Sequence, residues 1–169
     1  MFLLIRLDER LVHGQVATKL LPSMDVDTCV VVDDATAKSD VATRAIHMAM
    51  MGSGLAGRIK TSVKDLETAI RMLNDPRCNP KKIVIVTRDM ADLHAIVTRV
   101  PGIPNVNLGN YGSYKNDVES RKQIAKGIRV DEKDAHLLKE IIATGKKVYA
   151  QMTPNDKEVG SEELLKNLS

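Results

Sequence analysis

The chain has 169 residues, 43% hydrophobic and 28% charged, with 25 Lys and Arg against 22 Asp and Glu for a formal net charge of +3. A chain near 150 residues buries about 68–70% of its unfolded surface, so neither a disulfide nor a metal staple is needed to hold a core. With no Trp, one Phe and three Tyr, it lacks the stacking platforms of single-stranded nucleic-acid binders, and the mild basic excess is not the concentrated charge of a DNA-binding domain.

Apolar runs alternate with helical periodicity along the whole chain. Residues 2–7 read as a short strand. Residues 14–21 read as a helix closed by Pro22. Residues 28–32 (Thr-Cys-Val-Val-Val) have no polar alternation, the pattern of a strand buried on both faces. Residues 38–51 read as a helix ended by Gly52, Gly54 and Gly57, and residues 58–62 as a weaker strand. A helix follows over 63–73, with Ser62 as N-cap. Ile-Val-Ile-Val within 82–87 is the clearest strand signal. A helix over 89–100 stops at Pro101, and a strand over 105–108 feeds a Gly- and Asn-rich loop. Residues 110–126 are the least regular, a functional loop or a hairpin. Residues 128–130 are strand-like, 132–143 form a helix between Asp131 and Gly145, 147–151 form a last strand, and 161–168 a terminal helix.

Strands alternating with helices of this length predict an α/β fold, with a mostly parallel central sheet of about seven strands and helices on both faces. No internal repeat, low-complexity segment or long linker divides the chain, so residues 1–169 read as one domain. Cys29 lies mid-strand and reads as a small core residue; Cys78 lies in a polar, proline-flanked stretch, and the pair has no metal-ligand spacing. The apolar start is interrupted at once by Arg6, Asp8, Glu9 and Arg10, too short for a signal peptide or a membrane span, which points to a reduced, cytoplasmic protein.

In open α/β sheets ligands bind beyond the carboxyl ends of the strands. Of the turns placed there, the first is chemically the richest: Asp8-Glu9-Arg10-Leu11-Val12-His13-Gly14-Gln15, directly before a helix. A helix start offers free N–H groups and partial positive charge, which suits a phosphate. Arg10 can clamp phosphoryl oxygens. The neutral imidazole of His13 is a nucleophile, and Asp8 can orient it by accepting its other ring N–H. Gly14 allows close backbone approach. The bland alternative is a satisfied structural histidine, a turn aspartate and a surface arginine; composition and spacing alone leave both readings open. His47, His94 and His136 read as packing or solvated helix residues. With no His-x-x-x-His or His-Glu-x-x-His pattern, no Walker A and no Gly-x-Gly-x-x-Gly turn, neither metal nor nucleotide binding has support.

The segment from Arg6 to Val16 closely resembles the start of IIB subunits of the mannose/fructose/sorbose family of the bacterial phosphoenolpyruvate-dependent sugar phosphotransferase system (PTS), which carry Asp-x-Arg-Leu-x-His-Gly-Gln there. Val30-Val31-Val32-Asp33-Asp34, Asn105-Val106-Asn107-Leu108-Gly109-Asn110 and the stretch from Ile128 to Asp134 resemble later parts of the same family. The resemblance implies that a IIA domain, charged by the phosphocarrier protein HPr, donates a phosphoryl group to His13. The group then passes to a sugar bound by the membrane subunits IIC and IID during import. It further implies Arg10 as phosphoryl clamp, Asp8 as orienting group, Gly14 and Gln15 as support, no cofactor or metal, and a cytoplasmic chain held peripherally at the permease. Asp33, Asp34, Gly109 and Asn110 are assigned to the site rim, and residues 111–121 to partner contact. The sugar is not readable from the sequence, and a homodimer is left open. Two alternatives remain beside the relay: a phosphohistidine-dependent phosphatase or mutase, for whose second acid/base group the motif offers Asp8 and Glu9 but no second His nearby, and a regulatory phosphohistidine module.

Overall fold

A computed structural model describes residues 1–169. The central sheet has seven strands in the order β3-β2-β4-β1-β5-β8-β9. β1 (Phe2–Asp8), β2 (Thr28–Val32), β3 (Lys60–Lys64), β4 (Ile83–Thr87), β5 (Asn105–Asn110) and β8 (Lys147–Ala150) pair in parallel; β9 (Val159–Gly160) runs antiparallel to β8. β2 and β4 carry unbroken β-branched runs and are buried on both faces, as central parallel strands must be.

Two apolar layers sandwich the sheet. On one face Ile5, Leu7, Val30, Ile85 and Val106 meet α3 (Leu66–Leu73), α4 (Met90–Arg99), α5 (Glu132–Ala143) and Leu164 of α6 (Ser161–Leu168). On the other, Leu4, Cys29, Val31, Val84 and Val86 meet the helical segment after β1 and α2 (Asp40–Gly52). β1 lies in the middle of the sheet, and the connections after it run first to one edge and later to the other. Its carboxyl end is therefore the topological switch point, where α/β sheets open a crevice.

Several local expectations are corrected. The helix expected over 14–21 is π-helical over Val16–Leu20 and passes into a 3-10 turn, Leu21–Ser23, that takes in Pro22 rather than stopping before it. Pro22 fits because it sits in the first turn, where its missing N–H costs nothing. The helix expected over 38–51 is split. α1 (Asp34–Ala37) ends at Lys38, and Ser39 accepts from the Ala42 N–H to start α2. The strand expected over 58–62 runs Lys60–Lys64, so Ser62 is a strand residue, and Asp65 caps α3 by accepting from the Thr68 N–H.

The strand at 128–130 leaves the main sheet. β7 (Ile128–Val130) pairs with β6 (Lys122–Ala125) in a separate antiparallel hairpin, and the seventh strand of the main sheet is β9, which two residues are too few to reveal by pattern. His94 is half-buried and paired rather than freely solvated: it lies 2.7 Å from Glu140 of α5, which also receives the exposed His136. No helix is long and apolar enough to cross a membrane.

Candidate active site

Aspartates end most of the strand-to-helix turns, and most spend their carboxylates on helix caps. Asp33, Asp65, Asp89 and Asp131 each accept a backbone N–H in the first turn of the helix that follows. Asp8, at the end of β1, does something else. The helix after it has no side-chain cap, and the backbone N–H groups of His13, Gly14, Gln15 and Val16 have no acceptor within the protein. Asp8 instead turns its fully buried carboxylate on its own loop. Oδ1 accepts from the Arg10 N–H at 3.1 Å, and Oδ2 lies 3.2 Å from His13 Nε2.

Leu11 bends the chain so that His13 returns to Asp8. Its φ of +54° is unusual for a bulky side chain and is held by burial of the side chain in the second apolar layer and by the 2.9 Å bond from its N–H to the Asp8 carbonyl. The π-helical segment that follows is of the kind often found at functional sites. Strain and non-ideal helix are thus concentrated within a few residues of His13.

Asp8 has a third partner that the sequence reading missed. Arg6 is 1% exposed and donates from Nε and Nη2 to Asp8 Oδ2 at 3.2 and 2.9 Å. It also donates from Nη1 to Asn107 Oδ1 at 2.6 Å and from Nη2 to the Met152 carbonyl at 2.9 Å. Burial works to raise the Asp8 pKa, but the hydrogen bond with His13 and the charge of Arg6 outweigh it, so the carboxyl is held below its ordinary value. The usable signal was the spacing: Arg6 and Asp8 are two apart on one strand and therefore share a face.

Each expected site residue now has a place. Asp8 and His13 meet directly. Arg10 is exposed at the mouth, its Nε 3.8 Å from Asp8 Oδ1, free to swing toward an incoming anion. A side chain at Gly14 would meet open space, so the chain's own packing does not demand glycine there. The Gln15 Oε1 is buried without a protein partner.

The rim residues divide. Asp33 caps α1 and lies 3.4 Å from Arg88 Nε; Asp34 accepts from the Leu66 N–H, tying β2's turn to α3. Gly109 is not a rim residue: a Cβ there would stand 2.0 Å from Arg6 Cζ, so its smallness makes room for the buried guanidinium. The Asn110 carbonyl accepts from the Glu9 N–H at 2.9 Å, and its Nδ2 is buried without a partner. Residues 111–121 reach the motif through the Tyr114 N–H, 3.2 Å from the Glu9 carboxylate.

Comparison with known proteins gives the family and the fold. The family model described as the PTS system sorbose subfamily IIB component matches residues 2–169. A probable phosphotransferase enzyme IIB component of Streptococcus pyogenes serotype M6 is 28% identical over 163 residues, covering 95% of this chain and 97% of that protein. The N-acetylgalactosamine-specific phosphotransferase enzyme IIB component 1 of Escherichia coli is 29% identical, covering 92% and 93%; a crystal structure of that component superposes with a TM-score of 0.80 at 27% identity, covering 94% of this chain and 97% of that one. The mannose-specific EIIAB component of E. coli is 24% identical over 98% of this chain but 48% of its own length, so the chain spans about half of that relative. The IIBSor domain of the Klebsiella pneumoniae sorbose permease has the same fold, with a TM-score of 0.84 at 21% identity over 99% of this chain and 96% of that one.

Proposed function

The chain belongs to the sorbose subfamily of PTS IIB components, and we propose that His13 is the residue on which it carries the phosphoryl group. IIB components are phosphotransferases that pass a phosphoryl group toward a sugar, working with IIA and with membrane IIC and IID subunits. The observation that carries the assignment is the Asp8–His13 contact at the carboxyl end of β1. An ionised carboxylate only accepts, so Nε2 bears the hydrogen and Nδ1 is left with its lone pair. Nδ1 attacks phosphorus as the N–P bond of a donor phosphohistidine breaks, and that bond's electron pair stays on the donor imidazole. Arg10 and the free N–H groups from His13 to Val16 neutralise the phosphoryl oxygens. Asp8 stabilises the positive charge that forms on the ring. In the second transfer a sugar oxygen attacks, the bond electrons return to His13 as neutral imidazole, and the hydroxyl proton passes to a base on the acceptor side.

In this reading residues 1–169 form one IIB domain. It receives its phosphoryl group from a IIA domain or subunit and docks peripherally on the cytoplasmic side of IIC and IID. Incubation with phosphoenolpyruvate, the general PTS components and the cognate IIA should place an acid-labile, base-stable label on His13. Label that survives His13→Ala would overturn the assignment. Label that turns over to free phosphate without any sugar present would favour the phosphatase alternative.

A further inference from the structure

We propose that Arg6 is a positioning residue for phosphoryl transfer: it acts through Asp8 to keep the ring proton on His13 Nε2, and so keeps Nδ1 as the accepting atom. This rests on the assignment of His13 as carrier. Arg6 never reaches the mouth of the site, being 1% exposed beneath the loop. It shares one oxygen, Asp8 Oδ2, with His13: that oxygen takes Arg6 Nε at 3.2 Å, Arg6 Nη2 at 2.9 Å and His13 Nε2 at 3.2 Å.

A carboxylate sealed from water competes with the imidazole for the proton between them, and a cation on the same oxygen weakens that competition. This matters in the second transfer. With the proton on Nε2 the ring departs as neutral imidazole; with the proton lost to Asp8 it would have to depart as an anion. The pairing also limits how far Asp8 draws a second proton onto the free ring, which would remove the Nδ1 lone pair before the first transfer.

Everything around Arg6 fixes this arrangement. Asn107 lies beside it in register on β5 and accepts at 2.6 Å, and the carbonyls of Gln151 and Met152, just beyond β8, accept at 3.3 and 2.9 Å. Gly109 leaves room in β5 for the guanidinium, since a Cβ there would come within 2.0 to 2.5 Å of Cζ, Nη2 and Nε. The other charged or titratable groups facing this cluster are Arg10, whose N–H and Nε face Asp8 Oδ1, and Tyr149 of β8, a neighbour of Arg6. Glu9 is turned to the Tyr114 N–H. Arg6 is thus the cation that faces the oxygen bound to His13.

The test compares Arg6→Met, Arg6→Lys and Gly109→Ala by the 15N spectrum of the His13 ring and by the pH profile of phosphotransfer. Arg6→Met should lose the Nε2–H preference, slow transfer at least tenfold at neutral pH and move the acid limb of the profile upward by about one unit, as expected when a cation is removed from beside a coupled carboxylate–imidazole pair. Arg6→Lys, which keeps the charge, should keep the tautomer and the profile and lose rate several-fold. Gly109→Ala should reproduce the Arg6→Met spectrum by displacing the guanidinium, and carries the test if Arg6→Met does not fold. An unchanged tautomer and pH profile in folded Arg6→Met or in Gly109→Ala would overturn the proposal, as would a rate loss uniform across pH. Absence of phosphoryl label on His13 in the unmodified protein would instead overturn the carrier assignment, and the ring spectrum still reads the role of Arg6.

Discussion

At the scale of the residue, Asp8 is the pivot on which both stability and chemistry turn. Its carboxylate serves Arg6, Arg10 and His13 at once, and it is fully buried. Removing one partner of a buried ion pair leaves the other uncompensated, which costs about 3–5 kcal/mol. Asp8→Asn should therefore lower the melting temperature by roughly 6 to 20 °C for a chain of this size, at about 2–4 °C per kcal/mol, and should lose phosphotransfer in the same protein. A calorimetric scan that matches the unmodified chain would show that Arg6 can be satisfied without Asp8. The thiols behave differently. Burial alone pushes Cys29 up to about 12, so it should resist alkylation in the native state and react only on unfolding; iodoacetamide labelling at pH 8, followed by mass spectrometry with and without denaturant, checks this. Asp8, Arg10 and His13 were readable in the sequence because they fall within six consecutive residues whose chemistry is mutually consistent. Gly109 was not, because its meaning comes from the Arg6 side chain about a hundred positions away; Arg6 was passed over despite standing two residues from Asp8 on one strand face, because an arginine near a strand end looks like any solvated charge.

At the scale of the element, the segment after β5 has order that its polar composition conceals. Arg121 is almost buried and donates to Asp117 at 2.8 Å, Asp134 at 2.6 Å and Asp131 at 2.8 Å, while lying 5.9 Å from the Tyr111 ring centre. Burial works against its charge, but these carboxylates outweigh it and raise its pKa. Tyr111 closes the network by donating to the other oxygen of Asp134 at 3.0 Å. The first turn of α5, with its Asp131–Asp134 capping box, is thereby tied to the segment whose Tyr114 touches Glu9 of the motif. Gly112 makes the chain crossing feasible: its φ is +83°, and a Cβ there would stand 1.9 Å from the Arg129 carbonyl oxygen. Arg121→Met should cost about 3 kcal/mol, because Asp134 would stay buried and unpaired. Amide exchange should show the first loss of protection in residues 111–131, ahead of β1 and β4; uniform loss across the sheet would count against a local anchor. Periodicity announced the long helices and the Val- and Ile-rich strands, but it was silent on β6 and β9. Short elements bury too little in a regular repeat to leave a pattern, and this segment is ordered by ion pairs that only the fold brings together.

At the scale of the whole molecule, the carboxyl edge of the sheet gathers negative charge beside the cations that handle phosphate. Asp33 and Asp34 follow β2, and Asp89 and Asp92 follow β4; Arg88 and Lys115 answer only part of that charge, at 3.4 Å from Asp33 and 3.5 Å from Asp89. Asp92 bears the cost. Burial first, and then the charges of Asp89, Asp34 and Asp33, push its carboxyl up to about 6. A carboxyl whose native pKa lies above its unfolded value binds its proton more tightly when folded, so it favours the native state at low pH and loses that contribution as pH rises through about 6. Asp8, Asp27, Asp65 and Asp75 are shifted the other way, Asp75 to about 2, and their contributions are present at neutral pH and lost as pH falls below the ordinary carboxylate range. The two trends meet between the ordinary aspartate value, about 4, and the Asp92 value of about 6. Urea denaturation across the pH scale should therefore find greatest stability near pH 5, about two units below neutrality. Asp92→Asn should raise stability at pH 7–8 by up to about 1 kcal/mol once solvent screening of a half-exposed group is allowed for. The same substitution should flatten the profile between pH 4 and 6 and leave the steep acid limb untouched, because that limb belongs to the hydrogen-bonded carboxylates. If Asp92→Asn leaves the midpoint at pH 7.5 unchanged, the repulsion along this edge is being relieved by Arg88 and Lys115 more fully than their single close contacts suggest.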